Sequence, residues 1–321
     1  MPAYRFPGTV SRSHLTVITL HSSIEGCWST LKQNKLSLSL STCLAAAPVR
    51  QLILPTPKTH MCLLAIQYQL VPESPILVAC NREEHYDRPT SAPSIQSGKP
   101  RVLACTDQVA SGTWLGVNQH GMFVGVCNRP KLFVSSSPRS RGLLCRDLLR
   151  SASARLAVDL AMEELHTGNY AGANFVIADS ESGWVIHAGD ELEAAPLEEG
   201  LSIISNSDVD NPRDQRVQMA HRLLSLQTLD SPVKFLAVAS KVFARAPSPP
   251  GRPSMVIRGQ NRGTVSSTLL SLGMKPRDAI YQYASGSPDQ TKFEDFSPLL
   301  RDILSRGIRE TQSEVPSSKV R

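Results

Sequence analysis

GTWLGVN and MFVGVCN, joined through Gln119-His120-Gly121, constrain the fold more than any other stretch of this chain. Two apolar, β-branched-rich runs separated by a short turn containing glycine specify a hairpin. A second pair of the same kind follows in NFVIADSESGWVIHAGD, turning at Ser182-Gly183. Between the two, residues 139–165 carry helical periodicity, with Leu156, Leu160 and Leu165 among the apolar positions. The pattern then repeats in kind. CLLAIQYQL and ILVACNREE read as strands before the first hairpin. After the second come the strand LSIISNSD, a helix opened by Pro212, the helix PVKFLAVASKVFA, and the closing strands GTVSSTLLSLG and AIYQYA. Ser297-Pro298 supplies N-cap and first-turn chemistry for a last helix, PLLRDILSR. Residues 86–111 are polar with little periodicity and are expected to form a long loop. Hairpins alternating with helix pairs predict an α+β fold of mostly antiparallel sheets. The Pro-rich loop at 246–254 is too short to separate domains, so residues 61–307 read as one domain, with a polar, disordered tail at 308–321.

Charge divides the chain differently. Of the net +6, residues 1–60 hold +5, six basic residues against Glu25 alone. The remainder carries 28 basic and 27 acidic residues and is nearly neutral. The basic pI therefore belongs to the leader and gives the body no reason to bind nucleic acid. The leader lacks long-range periodicity, and its best apolar stretch, Leu44 to Leu54, is broken by Arg50. Two readings of it stay open: sequence upstream of the true start, or a transit-type targeting segment poor in acids. No run of about 18 apolar residues exists, so no membrane span is expected. Five cysteines in the body, odd in number and without a CxxC pair, argue against a disulfide framework or zinc site. They predict a reducing, cytoplasmic location.

Met61-Cys62 looks like a second beginning. With Met61 removed, Cys62 would carry a free α-amine of pKa about 7.7–8.0 beside a thiol of about 8.5. Base and nucleophile would then sit on one residue, as in N-terminal nucleophile enzymes. If residues precede it, this chemistry is blocked. Lipase, P-loop, zincin and EF-hand patterns are all absent. Asp208, Asp210 and Asp214 lack the glycine and closing glutamate of a calcium loop, and suit a helix N-terminus instead. His85, His120 and His187 stand alone, so no metal site and no cofactor is expected. The remaining polar residues lie at strand ends: Cys62, Asn81-Arg82-Glu83-Glu84, Asn128-Arg129 and Asn206.

Those strand ends carry a resemblance. MCLLAIQYQL, ACNREEHYDRP, GTWLGVNQHG, VCNRP, SRGLLCRDLL, YAGANFVIAD, SNSD and SST, in that order, resemble the NRDE family, also called the transport and Golgi organisation protein 2 family. The likeness spans Met61 to about Ser267 and none of the leader. More distantly it is similar to choloylglycine hydrolase and penicillin V acylase-type enzymes, which implies an αββα sandwich. It also implies roles: Cys62 as nucleophile, Arg82 with Glu83 or Glu84 near the thiolate and amine, and Asn128 and Asn206 at an oxyanion site. Two departures stand out. The signature aspartate is Glu83 here, and Val265 replaces the arginine usual after Gly263-Thr264, with Arg258 and Arg262 as possible replacements. The expected function is hydrolysis of an amide or acyl bond of a small molecule. The alternative is a non-catalytic carrier of a small hydrophobic or haem-like ligand.

Overall fold

Gly121, at φ +79°, turns the strand Leu115–Asn118 back on the strand Phe123–Asn128 where a side chain would be strained, and around that hairpin a seven-stranded sheet grows. The computed structural model describes residues 50–52, 62–246 and 253–314. Its strands are β1 (Arg50–Leu52), β2 (Leu63–Tyr68), β3 (Ile76–His85), β4 (Thr90–Gln96), β5 (Val102–Asp107), β6 (Leu115–Asn118), β7 (Phe123–Asn128) and β8 (Phe133–Ser135). Helices α1 (Arg141–Leu148) and α2 (Ala154–His166) follow, then β9 (Ala173–Ala178), β10 (Gly183–Ala188), β11 (Leu192–Pro196) and β12 (Gly200–Ile204). The rest comprises α3 (Gln215–Leu224), α4 (Pro232–Phe243), β13 (Arg262–Leu272), β14 (Ile280–Ala284), β15 (Glu294–Asp295) and α5 (Ser297–Glu314).

One sheet has the order β11-β10-β9-β7-β6-β5-β4 and the other β12-β2-β3-β13-β14-β15, with β1 pairing only β8. Every named ladder is antiparallel. Three apolar layers hold the sheets and helices together. Alternate residues of β2 and β3 (Leu64, Ile66, Tyr68, Val78, Cys80) meet Phe123, Val176 and Val185 of the facing sheet. The intervening residues Leu63, Ala65, Leu77 and Ala79 point outward against Val217, Ala220, Phe235 and Phe243 of α3 and α4. On the far side, α1 and α2 cover the seven-stranded sheet through Leu144, Leu148, Ala157 and Ala161. Both faces of β2 and β3 are thus buried, which is why these strands read as unbroken apolar runs. The layers are helix, sheet, sheet, helix, the α+β sandwich expected from the pattern.

Four local features depart from the sequence reading. Residues 90–107 form the hairpin β4–β5 rather than a loop. A bulge between Ser91 and Ser94 breaks the alternation that would have revealed it. Pro212 does not open α3, which starts at Gln215 with Asp214 as its cap, the Asp214 side chain accepting from Arg216 and Val217 N–H. Asp208 instead pairs with Arg129, and Asp210 accepts from Ile203 N–H. The expected break after Gly307 does not occur: α5 continues to Glu314. Polar contacts hold that extension, with Gln119 Nε2 donating to Glu310 at 2.6 Å, and hydrophobic periodicity cannot report such contacts. The tail at 315–321 and the leader, apart from 50–52, lie outside the described residues.

The Asp214 cap gives a local test. Asp214→Ala removes acceptors for two orphan N–H groups and for the Ser205 hydroxyl 3.0 Å away. It should lower unfolding stability by about 1–2 kcal/mol in urea titration. A loss under about 0.3 kcal/mol would show that α3 is held by packing alone.

Candidate active site

The run Asn81-Arg82-Glu83-Glu84 ends β3, and the two-residue period of a strand splits it between the two faces of the sheet. Asn81 and Glu83 point to the helix side. Asn81 Nδ2 donates to the carbonyls of Phe243 and Met255 at 2.9 and 3.0 Å. Glu83 Oε1 accepts from Arg216 Nη2 of α3 at 2.5 Å and from Thr264 Oγ1 of β13 at 3.2 Å. Arg216 also donates to the carbonyls of Ser254 and Met255. Burial pushes the Glu83 carboxyl up against the downward pull of the Arg216 guanidinium.

Arg82 and Glu84 point to the opposite side, where Cys62 also lies. Leu63 pairs with Asn81, so Cys62 stands beside Arg82 at the mouth of the β2–β3 ladder. A cleft of about 270 Å³ opens there. Its lining includes Cys62, Arg82, Glu84 and Asn128, together with Arg88, Asp107, Trp114 and Arg141. Glu84 is therefore the carboxylate on the thiol's side of the sheet, and Glu83 contributes its backbone N–H, which donates to the Cys62 sulfur. Strand alternation thus puts the two glutamate side chains on opposite faces, Glu84 on the side of the thiol and Glu83 on the side of Arg216.

Arg82 is buried, with its guanidinium 4.2 Å from the centre of the Trp114 ring and 3.7 Å from Glu84. Its Nη1 has no hydrogen-bond partner. Trp114 is thus the wall of the cleft. Arg88 donates to Asp107 at 2.6–2.8 Å and lies 3.8 Å from Glu84. Against its burial, Arg88 and the Val109 and Ala110 N–H groups hold the Asp107 carboxyl below the usual range. The Cys62 thiol moves the other way. Burial, then the Glu83 charge, push it up to about 11, although the Glu83 N–H and Arg82 oppose the rise. In a chain with residues before Cys62 it is a protonated thiol at neutral pH.

Arg141 was not visible as a site residue in the sequence. A Cβ on Gly112 would lie 2.2 Å from the Gly142 backbone, so the chain at 112 touches the first turn of α1. Thr113 N–H donates to Gly142 O at 2.9 Å. That close approach brings Arg141, the first residue of α1, into the cleft, where its Nη1 donates to Gly172 O at 2.8 Å. Burial lowers the Arg141 pKa, with the charges of Cys62 and Glu84 opposing. One signal could have found it. A cation in the first turn faces the positive end of the helix dipole, an unfavourable choice for structure alone.

Asn206 lies elsewhere. Ile204, two residues before it, pairs with Leu64, two residues after Cys62. The strand ends there, and Asn206 lines a neighbouring hollow of about 530 Å³ with Arg129, His187 and Asp208. Behind it, Asn174 is a buried hub, donating to the carbonyls of Ser205 and Ser207 and accepting from Arg129. Since its Oδ1 can only accept, His187 Nδ1, 2.8 Å away, is the donor. Neither arginine offered as a replacement lines the cleft. Arg258 pairs with Asp289, Arg262 sits opposite His85 in the β3–β13 ladder, and Val265 occupies a bulge between Thr264 and Ser266. Among the described residues the five cysteines are free and buried. No group of three or more His, Cys, Asp and Glu among them is placed to hold a metal ion, and no helix is long and apolar enough to cross a membrane.

Comparison with known proteins adds three findings. Residues 61–239 match the family model described as Transport and Golgi organisation 2. The Transport and Golgi organization protein 2 homolog of Bos taurus is 29% identical over 165 residues, 47% of this chain and 59% of that protein. The Mus musculus homolog is 27% identical over the same length and shares. The chain thus spans about three fifths of the length of these curated relatives. Among solved structures, the Caenorhabditis elegans N-acylethanolamine-hydrolyzing acid amidase ortholog is similar at 16% identity and a TM-score of 0.42, covering 65% of this chain and 92% of that one. A conjugated bile acid hydrolase variant from Clostridium perfringens is similar at 13% identity and a TM-score of 0.41, covering 74% and 93%.

Proposed function

This chain belongs to the Transport and Golgi organisation 2 family, and on that footing we propose that its body is an N-terminal-cysteine hydrolase of small-molecule amide or acyl bonds. The observation that carries this reading is the convergence of Cys62, Arg82, Glu84 and Asn128 on one cleft. The thiol is not reactive as it stands, being buried and raised to about 11. Freeing the Cys62 α-amine would supply the missing base on the same residue. The amine takes the thiol proton, and the thiolate attacks the carbonyl carbon. An Asn128 side-chain N–H meets the developing oxyanion, a donor worth about 3 kcal/mol in comparable sites. Collapse of the intermediate breaks the C–N bond, and the ammonium returns its proton to the leaving amine. Water then releases the acyl group from sulfur by the same route. Arg82 would favour the thiolate, and Glu84 would hold the ammonium.

The test is a protein beginning at Cys62, verified by intact mass, assayed against a panel of small N-acyl amides. Turnover is expected, and Cys62→Ala should reduce it to background. Full activity in Cys62→Ala would sink the mechanism. The protonated, buried thiol favours one second reading, a carrier that uses the cleft without chemistry. Saturable binding with no turnover, unchanged by Cys62→Ala, would establish that instead.

A further inference from the structure

We propose that the cleft seats one carboxylate on the guanidinium groups of Arg82 and Arg141, so that the small molecule it takes carries a single acidic terminus. The inference rests on the hydrolase reading only in placing the scissile bond at Cys62; the anion seat stands on its own geometry.

Charge does not balance inside this confined space. Seven charged residues line the cleft. Glu83 is neutralised by Arg216 on the other face of the sheet. Arg88 is matched by Asp107 at 2.6 Å. Arg139 is engaged away from the cleft by Asp147 and Glu164, where Arg146 completes a balanced set of two cations and two anions. Arg82 and Arg141 then remain against Glu84 alone, leaving one positive charge uncompensated.

That excess charge is not a solvated surface charge. The Arg82 side chain is only 5% exposed, and its Nη1 is buried without a hydrogen-bond partner. An unmet donor on a buried cation is costly unless something supplies an acceptor. Glu84 does not supply it, because its nearest oxygen is 3.7 Å from Arg82 and its other oxygen accepts from His85 N–H at 2.9 Å. Arg141 makes one bond, to Gly172 O, and leaves most of its guanidinium fork for an occupant. It is a cation at the positive end of α1, so any anion seated there is favoured by the dipole as well. A planar carboxylate matches guanidinium geometry and carries the one negative charge that balances the cleft. A dianion would overshoot the balance.

The experiment uses three probes of one size that differ only in terminal charge: N-hexanoylglycine, N-hexanoylethanolamine and N-hexanoylethylenediamine. Their binding to the full chain carrying Cys62→Ala is measured by calorimetry, so turnover does not enter. The carboxylate probe is expected to bind about tenfold or more tighter than the alcohol, and the ammonium probe weakest. Arg141→Met should erase the gap between carboxylate and alcohol, and Arg141→Lys should keep part of it. Equal binding of the three, a preference surviving Arg141→Met, or no binding of any at millimolar concentration would overturn the proposal. The preference in the unsubstituted Arg141 protein decides the question even if Arg141→Met fails to fold. Carboxylate-selective binding by a Cys62-initiated protein that shows no turnover would sink the hydrolase reading and leave the anion seat standing.

Discussion

Arg216→Met is expected to lower unfolding stability by about 3–5 kcal/mol, because it strips a buried carboxylate of its counter-charge. Glu83 and Arg216 meet at 2.5 Å with side chains 1% and 8% exposed. The pair itself contributes little net stability, since taking two charges out of water offsets their attraction. Removing one partner is a different matter. The orphaned Glu83 must either stay charged in an apolar layer or take up a proton, and the Ser254 carbonyl loses the Arg216 donor, while Met255 O keeps Asn81 Nδ2. Glu83→Leu combined with Arg216→Met should therefore be less damaging than Arg216→Met alone. Urea unfolding of the two single variants and the double variant measures this directly. A cost under about 1 kcal/mol for Arg216→Met would show that water reaches the pair, contrary to its burial.

The second large effect is alkaline. Burial raises the thiols of Cys62, Cys80, Cys105, Cys127 and Cys145 from an ordinary value of 9.0, Cys62 to about 11 and Cys105 to about 12. A raised thiol favours the protonated, neutral form in the folded state, whereas the unfolded chain ionises freely above pH 9. The stabilisation is therefore complete below about pH 8 and lost as pH rises from about 9 toward the folded values. Each thiol costs about 1.4 kcal/mol for each pH unit in that window. All five shifts have the same sign, so their losses act in the same direction as pH rises through this window. Urea midpoints under a phosphine reductant should be flat from pH 7 to 8 and fall steeply from 9 to 10. Cys145→Ala, on the α1 layer away from the cleft, should shallow the fall by about a fifth. A flat midpoint through pH 10 would mean that these thiols are hydrated.

What could be read from residues alone follows from how local each signal is. The β6–β7 and β9–β10 hairpins were legible because their turn glycines and flanking apolar runs lie within a few residues of each other. The β4–β5 hairpin was not, because its bulge interrupts the period and TSAPSIQ is an edge strand facing water. Cys62, Arg82, Glu84 and Asn128 were legible as polar residues ending apolar strands, and the structure brings them together. Which of Glu83 and Glu84 shares the thiol's face was not, because alternation assigns faces only once one face is known to hold the thiol. Arg141 escaped for a different reason. It reaches the cleft through the contact of Gly112 with Gly142, a property of two backbones that no side-chain pattern records.

The pairing of β3 with β13 also sets a timetable for biosynthesis. Arg82 and Glu83 find Ser266 and Thr264 as ladder partners about 180 residues downstream. At ribosomal rates of about 5–20 residues per second, that interval lasts on the order of ten seconds or more. Throughout it the nascent chain presents β3, ten residues long with ILVAC at its start, as an open sheet edge. The strand that frames the cleft is thus the one most in need of shielding by a chaperone before synthesis is complete. Ribosome-stalled chains ending before residue 262 should accordingly be the species that such factors hold longest.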